Sequence, residues 1–176
     1  MSKLPAPDST GPAAGPSEGR PSPLGTQRPT QRWSVGDTFS WPVRVYWEDT
    51  DAGGIVFYAN YLKFFERART EWLRQLGIGQ QRLREEVGGM FVVSETRVRY
   101  HRPARLDDLL LVTARVQEAG RASLTIEQRA LLEPPQAGSP PLMLCEGTIR
   151  IGWVEAQSLR PQRIPGLVLD ALQAGD

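Results

Sequence analysis

Asp49-Thr50-Asp51-Ala52-Gly53-Gly54-Ile55-Val56-Phe57-Tyr58-Ala59-Asn60-Tyr61 decides the reading of this chain, because it joins two patterns of different period. Before it, Trp41 to Glu48 sets Val43, Val45 and Trp47 against Arg44, Tyr46 and Glu48, the alternation of a strand. After it, from Ala59 to Gly77, Tyr61, Phe65, Ala68, Trp72 and Leu76 recur at steps of three and four, an apolar stripe that a helix must bury. Gly77 supplies the stop. An acidic, glycine-hinged turn leading straight into a helix can aim a carboxylate and the helix N-terminus at one substrate atom. Unpaired N–H groups and the positive end of the helix dipole stabilise the negative charge that builds on a carbonyl oxygen when base-activated water attacks its carbon. Such a turn suits hydrolysis.

Downstream, a shorter helical piece is expected from Gln80 to Glu86, before Gly88-Gly89. Four period-two segments follow. Val92, Ser94, Thr96, Val98 and Tyr100 share one face of the first, and Leu110, Val112, Ala114 and Val116 one face of the second. Leu124, Ile126, Gln128, Ala130 and Leu132 form the third; Met143, Cys145, Gly147, Ile149, Ile151 and Trp153 form the fourth. Polar residues on the opposite faces mark half-buried antiparallel strands. The turns between them contain Arg105-Leu106-Asp107-Asp108, Glu118-Ala119-Gly120-Arg121 and a proline-stiffened run from Pro134 to Pro141. One strand, one long helix and four long strands predict an α+β domain with the antiparallel sheet covering the helix on one side.

The chain has 176 residues, enough for one domain with a sizeable core. Lysine and arginine number 21 against 20 acidic residues, so neither nucleic acid nor an anionic membrane is an expected partner and any anion site must be local. Cys145 is the only cysteine, which excludes an internal disulfide framework and an all-cysteine zinc site; its strand context predicts a small buried hydrophobe. Residues 1 to 30 hold seven of the 15 prolines and almost no large aliphatic side chain, so they cannot offset their ordering entropy by burial. Residues 1 to 39 are therefore expected to be a disordered leader, and residues 40 to 172 the folded domain. No apolar run of signal-peptide or membrane-spanning length occurs in the first forty residues, which makes the cytoplasm the expected compartment.

The turn and its continuation, Phe64-Phe65-Glu66-Arg67-Ala68-Arg69-Thr70-Glu71-Trp72-Leu73, resemble the 4-hydroxybenzoyl-CoA thioesterase-like hotdog family, in particular its Tol-Pal-associated acyl-CoA thioesterase branch. The likeness continues through Tyr100-His101-Arg102-Pro103-Ala104-Arg105-Leu106-Asp107-Asp108, Gly120-Arg121-Ala122-Ser123 and Arg160-Pro161-Gln162-Arg163-Ile164-Pro165. It implies a hotdog fold, a five-stranded antiparallel sheet wrapped around a long central helix, and hydrolysis of acyl-CoA to carboxylic acid and coenzyme A. It further implies a homo-oligomer, dimer or tetramer, with the site between protomers, and an acyl carrier protein as a second candidate partner. No metal or redox cofactor is implied. The rival reading is a non-catalytic acyl-thioester or acyl-carrier binding module serving an envelope or lipid-synthesis assembly.

The resemblance puts the catalytic aspartate at Asp51, as general base or nucleophile, and the oxyanion donor at the backbone N–H of Tyr58. Many relatives carry histidine at the latter position, so a side-chain acid-base role does not carry over to this chain. Tyr46, Asn60 and Tyr61 are candidate pocket residues. Arg121 and Ser123 resemble the contact to the phosphorylated end of coenzyme A, where a guanidinium matches phosphate geometry; Arg160 and Arg163 are further candidates. Read from the residues alone, a turn or helix-capping role is the commoner use of an aspartate beside glycine, as at Asp51. Glu66 is the alternative carboxylate, flanked by Arg67 and Arg69 as on a solvated helix face. Asp49, Asp51 and Gly54 partly copy a calcium loop, but glycine stands at its fifth position and Asn60 at its twelfth, where a bidentate glutamate is needed. His101 is the only histidine and lies outside the motif, which leaves a serine-histidine esterase or a multi-histidine metal centre without support.

Overall fold

The computed structural model describes residues 38–133 and 139–173, the last by its backbone alone. The expected leader lies outside the described residues up to residue 37, and so does most of the proline-rich run after residue 133. Phe39 is buried, so the folded part begins no later than that residue. The elements are β1 (Phe39–Arg44), a 3-10 turn (Trp47–Asp49), α1 (Asn60–Gln75), α2 (Gln80–Arg82) continued by a π-turn (Leu83–Val87), β2 (Gly89–Tyr100), β3 (Leu109–Ala119), β4 (Ser123–Leu132), β5 (Leu142–Glu155) and α3 (Gly166–Gln173). The strands form one sheet in the order β1-β3-β4-β5-β2, every neighbouring pair antiparallel. The α+β expectation holds.

The stripe on α1 does what its spacing requires. Tyr61, Phe65, Ala68 and Trp72 are buried, joined by Phe64 and Leu73, which widen the apolar face. They meet Leu110, Val112 and Ala114 of β3 and Leu124, Ile126 and Ala130 of β4 in one core. Each of the largest side chains contributes roughly 1.5–3 kcal/mol by leaving water. Gly147 lets β5 pass close to the helix, since a Cβ there would lie 2.9 Å from the Phe65 ring. One polar side chain enters this core: Gln128, fully buried on β4, donates through Nε2 to the Phe65 carbonyl at 2.9 Å and accepts from Arg69 at 2.6 Å. The helix is thereby fixed on the sheet by directed bonds as well as by packing.

Four features depart from the simple alternation. The first strand stops at Arg44, because Asp49 donates its N–H to the Tyr46 carbonyl and curls the chain into the 3-10 turn; Trp47 is left exposed instead of facing the core. In β2 a bulge at Ser94 inserts a residue, so Val93 pairs with Ile151 while Thr96 pairs with Ile149. The inward set is thus Phe91 and Val93 before the bulge and Thr96, Val98 and Tyr100 after it; Val92 and Ser94 leave the face expected of them. A second irregularity at Leu144 of β5 buries Leu144 and moves Met143 to the other face. The helix α3 was not expected; Val168 and Leu172, one turn apart, are buried beside Ile164.

The strand β2 is a sheet edge, and much of its inward face is uncovered. Val93 is 53% exposed. A cleft of about 510 Å³ separates it from α1, lined by Leu62, Glu66 and Arg69 on the helix and by Val93, Thr96 and Ile149 on the sheet.

Candidate active site

The two acids of Asp-Thr-Asp have different fates. Asp49 is 2% exposed, and its Oδ2 accepts the Tyr46 N–H at 2.9 Å. Its carbonyl accepts from the Phe57 N–H and from the Asn60 side-chain amide, each at 2.9 Å. Asp49 thus ties β1, the turn and the start of α1 together from inside. Asp51 is exposed at the tip of the turn. The turn closes between its N–H and the Ile55 carbonyl at 2.9 Å and between the Gly54 N–H and its own carbonyl at 3.0 Å. Gly54 has φ 71°, a left-handed conformation that glycine adopts without a Cβ penalty. The Asp51 carboxylate accepts the Gly53 N–H through Oδ1 at 2.8 Å, and a Cβ on Gly53 would lie 3.0 Å from that oxygen. One carboxylate oxygen is therefore oriented by the backbone, while Oδ2 has no hydrogen-bond partner among the described residues.

The turn is anchored to the rest of the fold by the Val56 N–H donating to the Ala104 carbonyl at 2.9 Å and by an isolated bridge between Ile55 and Arg105. It leads into the N-terminus of α1, whose N-cap is Ala59; no side chain caps it and its first turn contains no acid. Helix starts ordinarily use Ser, Thr, Asp or Asn for that purpose. The Asn60 N–H bonds back to the Phe57 carbonyl at 2.8 Å. Among the described residues the Tyr58 N–H has no acceptor, and the Tyr58 side chain is 62% exposed. A carboxylate and an uncapped helix N-terminus thus come from the same short segment, as the sequence predicts. The partial calcium spacing has no counterpart in the fold, since Asp49 is turned inward and Asp51 outward. Among the described residues no three His, Cys, Asp or Glu side chains gather as a metal ion would need.

With this geometry defined, the relatives become informative. The family described as the thioesterase superfamily matches residues 53–138. An acyl-CoA thioesterase, YbgC, of Haemophilus influenzae is 46% identical over 127 residues, covering 72% of this chain and 88% of that protein. The chain belongs to the thioesterase superfamily. A probable thioesterase from Bartonella henselae has a solved structure with a TM-score of 0.65 at 32% identity, covering 73% of this chain and all of that one. The fold is also that of 4-hydroxybenzoyl-CoA thioesterase from Pseudomonas sp. strain CBS-3, with a TM-score of 0.69 at 18% identity over 76% of this chain and 98% of that one. The hotdog resemblance read from the Asp51 turn is borne out.

Within this superfamily fold, the remaining candidates fall into three places. Tyr46 is 60% exposed beside the turn, where a substrate can reach it. Asn60 and Tyr61 are buried; the Asn60 amide is committed to Asp49, and the Tyr61 hydroxyl accepts the Ala104 N–H at 3.0 Å. Both brace the turn from behind. Arg121 and Ser123 sit at the β3–β4 hairpin, where Ser123 pairs across the sheet with Gly152, while Tyr100 on the Asp51 side pairs with Cys145. At a strand rise of roughly 3.3 Å per residue the two levels, seven residues apart on β5, are about 23 Å apart, so one chain does not bring Arg121 next to its own Asp51. The segment containing Arg160 and Arg163 crosses this same hairpin, the Ile164 N–H donating to the Arg121 carbonyl at 2.9 Å, which collects three arginines at that end. Ser123 accepts from Arg150 at 3.3 Å.

Glu66 lies on the α1 face of the cleft and accepts from Thr70 at 2.7 Å. His101 pairs with Glu146 at 3.1 Å on the surface. Cys145 is buried, and burial followed by the charge of Glu146 pushes its thiol up to about 12, which keeps it protonated and unreactive. Sequence reasoning missed Tyr100, whose hydroxyl donates to the Tyr58 carbonyl at 3.1 Å. Period two placed it on a strand face, and nothing in that pattern indicates what a strand-end hydroxyl reaches.

Proposed function

We propose that this chain hydrolyses acyl-CoA thioesters to carboxylic acid and coenzyme A, with Asp51 as the base or nucleophile and the Tyr58 N–H as the oxyanion donor. The observation that carries the reading is the pairing of a backbone-oriented carboxylate with the uncapped N-terminus of the 16-residue helix α1. Water attacks the thioester carbon while Asp51 takes its proton, or the Asp51 carboxylate attacks and water later cleaves the resulting anhydride. In both routes the C–S bond breaks, its electron pair leaves on sulfur, and the thiolate takes up a proton while Asp51 returns as carboxylate. Thiolate is a good leaving group, so an oriented attacker and a stabilised oxyanion meet most of the demand.

The exposed edge of β2 gives the reading its quaternary form. An open twelve-residue strand with Val93 uncovered is a pairing liability. In a two-fold dimer joined along antiparallel β2 edges, each chain's Asp51 end meets the hairpin end of its partner. That removes the separation within one chain: the partner's Arg121 and Ser123, with Arg160 and Arg163 nearby, are the phosphate contacts for the substrate held at this chain's Asp51. A tetramer follows as a dimer of such dimers. Thioesters on an acyl carrier protein present the same reacting group, which makes that protein the second candidate donor. Among the described residues no helix is long and apolar enough to cross a membrane, in keeping with a cytoplasmic enzyme.

The test is thiol release from a panel of short-chain, long-chain and aromatic acyl-CoA thioesters. Turnover of at least one, lost in Asp51→Asn, supports the reading. Saturable binding of the panel without thiol release overturns it in favour of a non-catalytic acyl-thioester module.

A further inference from the structure

Tyr100 closes β2, and its side chain reaches away from the strand to the turn before α1. Its hydroxyl donates to the Tyr58 carbonyl at 3.1 Å. Its ring stands edge-on to Tyr58, with centroids 6.3 Å apart, and to Tyr61 at 5.8 Å. Tyr61 is itself fixed, being 2% exposed and bonded to the Ala104 N–H. Burial, then the Cys145 and Tyr58 groups, raises the Tyr100 phenol above its ordinary value, so the donor keeps its proton at neutral pH.

The two peptide units flanking Tyr58 are held by different hands. The Phe57 carbonyl accepts the Asn60 N–H at 2.8 Å, and the Tyr58 carbonyl accepts the Tyr100 hydroxyl. A trans peptide is planar, with its N–H opposed to its C=O, so holding both carbonyls fixes the directions of the Tyr58 and Ala59 N–H groups. The helix start adds no side-chain cap of its own here: the cap is an alanine without a side-chain bond and the Tyr58 side chain is mostly exposed. We infer that Tyr100 is a positioning residue for the reaction, a strand-borne hydroxyl that aims the oxyanion-binding N–H groups at the α1 N-terminus. This rests on the hydrolase reading given above.

Tyr100→Phe removes the hydroxyl and keeps the ring. The expected result is a fall in kcat of about tenfold with KM and melting temperature little changed, since a loosened donor is lost mainly in the transition state. Backbone 15N order parameters, read by NMR relaxation on the full chain, are expected to fall at Tyr58 and Ala59 and not across the sheet. Unchanged kcat overturns the inference, and so does a fall in kcat with unchanged order parameters at those two amides. If wild-type protein releases no thiol from any acyl-CoA, the hydrolase reading fails; lower order parameters at Tyr58 and Ala59 alone then still support the positioning, and unchanged ones overturn it.

Discussion

Asp51→Asn and Asp49→Ala separate the two acids of the turn. Asn at residue 51 keeps an oxygen where Oδ1 accepts the Gly53 N–H at 2.8 Å, so the turn survives and the cost is the charge-assisted part of one exposed bond, under about 1 kcal/mol. The lost negative charge is what accepts a proton or attacks. Positioned general bases contribute about 10²–10⁴-fold, so kcat is expected to fall at least about a hundredfold, roughly 2.7 kcal/mol of barrier, with the melting curve nearly unmoved. Asp49→Ala acts in reverse. It strips the partner from the Tyr46 N–H, bonded at 2.9 Å to a carboxylate that is 2% exposed. An orphaned donor of this kind costs about 1–3 kcal/mol, a drop of roughly 2–12 °C in Tm for a domain of this size.

The assay is thiol release alongside thermal denaturation for both variants and wild type. Near-normal turnover in Asp51→Asn refutes the assignment and directs attention to Glu66→Gln, which under this reasoning has little effect. A turnover loss in Asp51→Asn matched by an equal loss of stability also refutes it, because Asp51 is then holding the turn rather than serving the reaction.

Gly147→Ala places a Cβ 2.9 Å from the Phe65 ring and is expected to cost about 1–3 kcal/mol in denaturant titrations, against little change for Gly152→Ala, whose Cβ has its nearest contact at 3.8 Å. Glu127 bonds Arg115 and Arg129 at 2.5 Å each, and the Arg115 bond, followed by the charges of both arginines, holds its carboxyl below the ordinary 4.5. A depressed carboxyl stabilises the fold above its unfolded value and loses that contribution as pH falls through the folded one, so Glu127→Gln is expected to lower Tm at pH 7 and to converge on wild type as pH falls below the depressed folded value. Arg121→Ala is expected to raise KM for coenzyme A thioesters far more than for pantetheine thioesters, which lack the nucleotide phosphates; equal changes make Arg121 structural. Val93→Glu on the open edge of β2 is expected to give a monomer with reduced turnover by light scattering and thiol release, whereas deletion of residues 1 to 37 is expected to leave both size and activity unchanged.

The fold was legible because its elements obey periods that burial enforces. Tyr61, Phe65, Ala68 and Trp72 lie on one stripe, and a helix offers no other way to bury four such side chains together. The bulges were not legible: Ser94 and Leu144 each add one residue to a pairing without altering composition, and the same residues read equally well in unbroken alternation. The short helix α3 left a fainter trace, Val168 and Leu172 four apart after Pro165, spread over only eight residues.

At the site, period failed for a physical reason of its own. In a strand, residues 49 and 51 point to the same side, so period gives no ground for assigning the two acids of Asp-Thr-Asp different work, and only the family resemblance singles out Asp51. The 3-10 turn breaks that equivalence, because the Asp49 N–H returns to the Tyr46 carbonyl and its side chain returns to the Tyr46 N–H. The Asn60 amide then closes on the Asp49 carbonyl, which draws the start of α1 toward the turn. Asn60 thus braces the turn from behind, through the bond of its amide to the Asp49 carbonyl. One acid is spent on building the turn so that the other, two residues on, stands free at its tip beside a helix end that no side chain of its own segment caps.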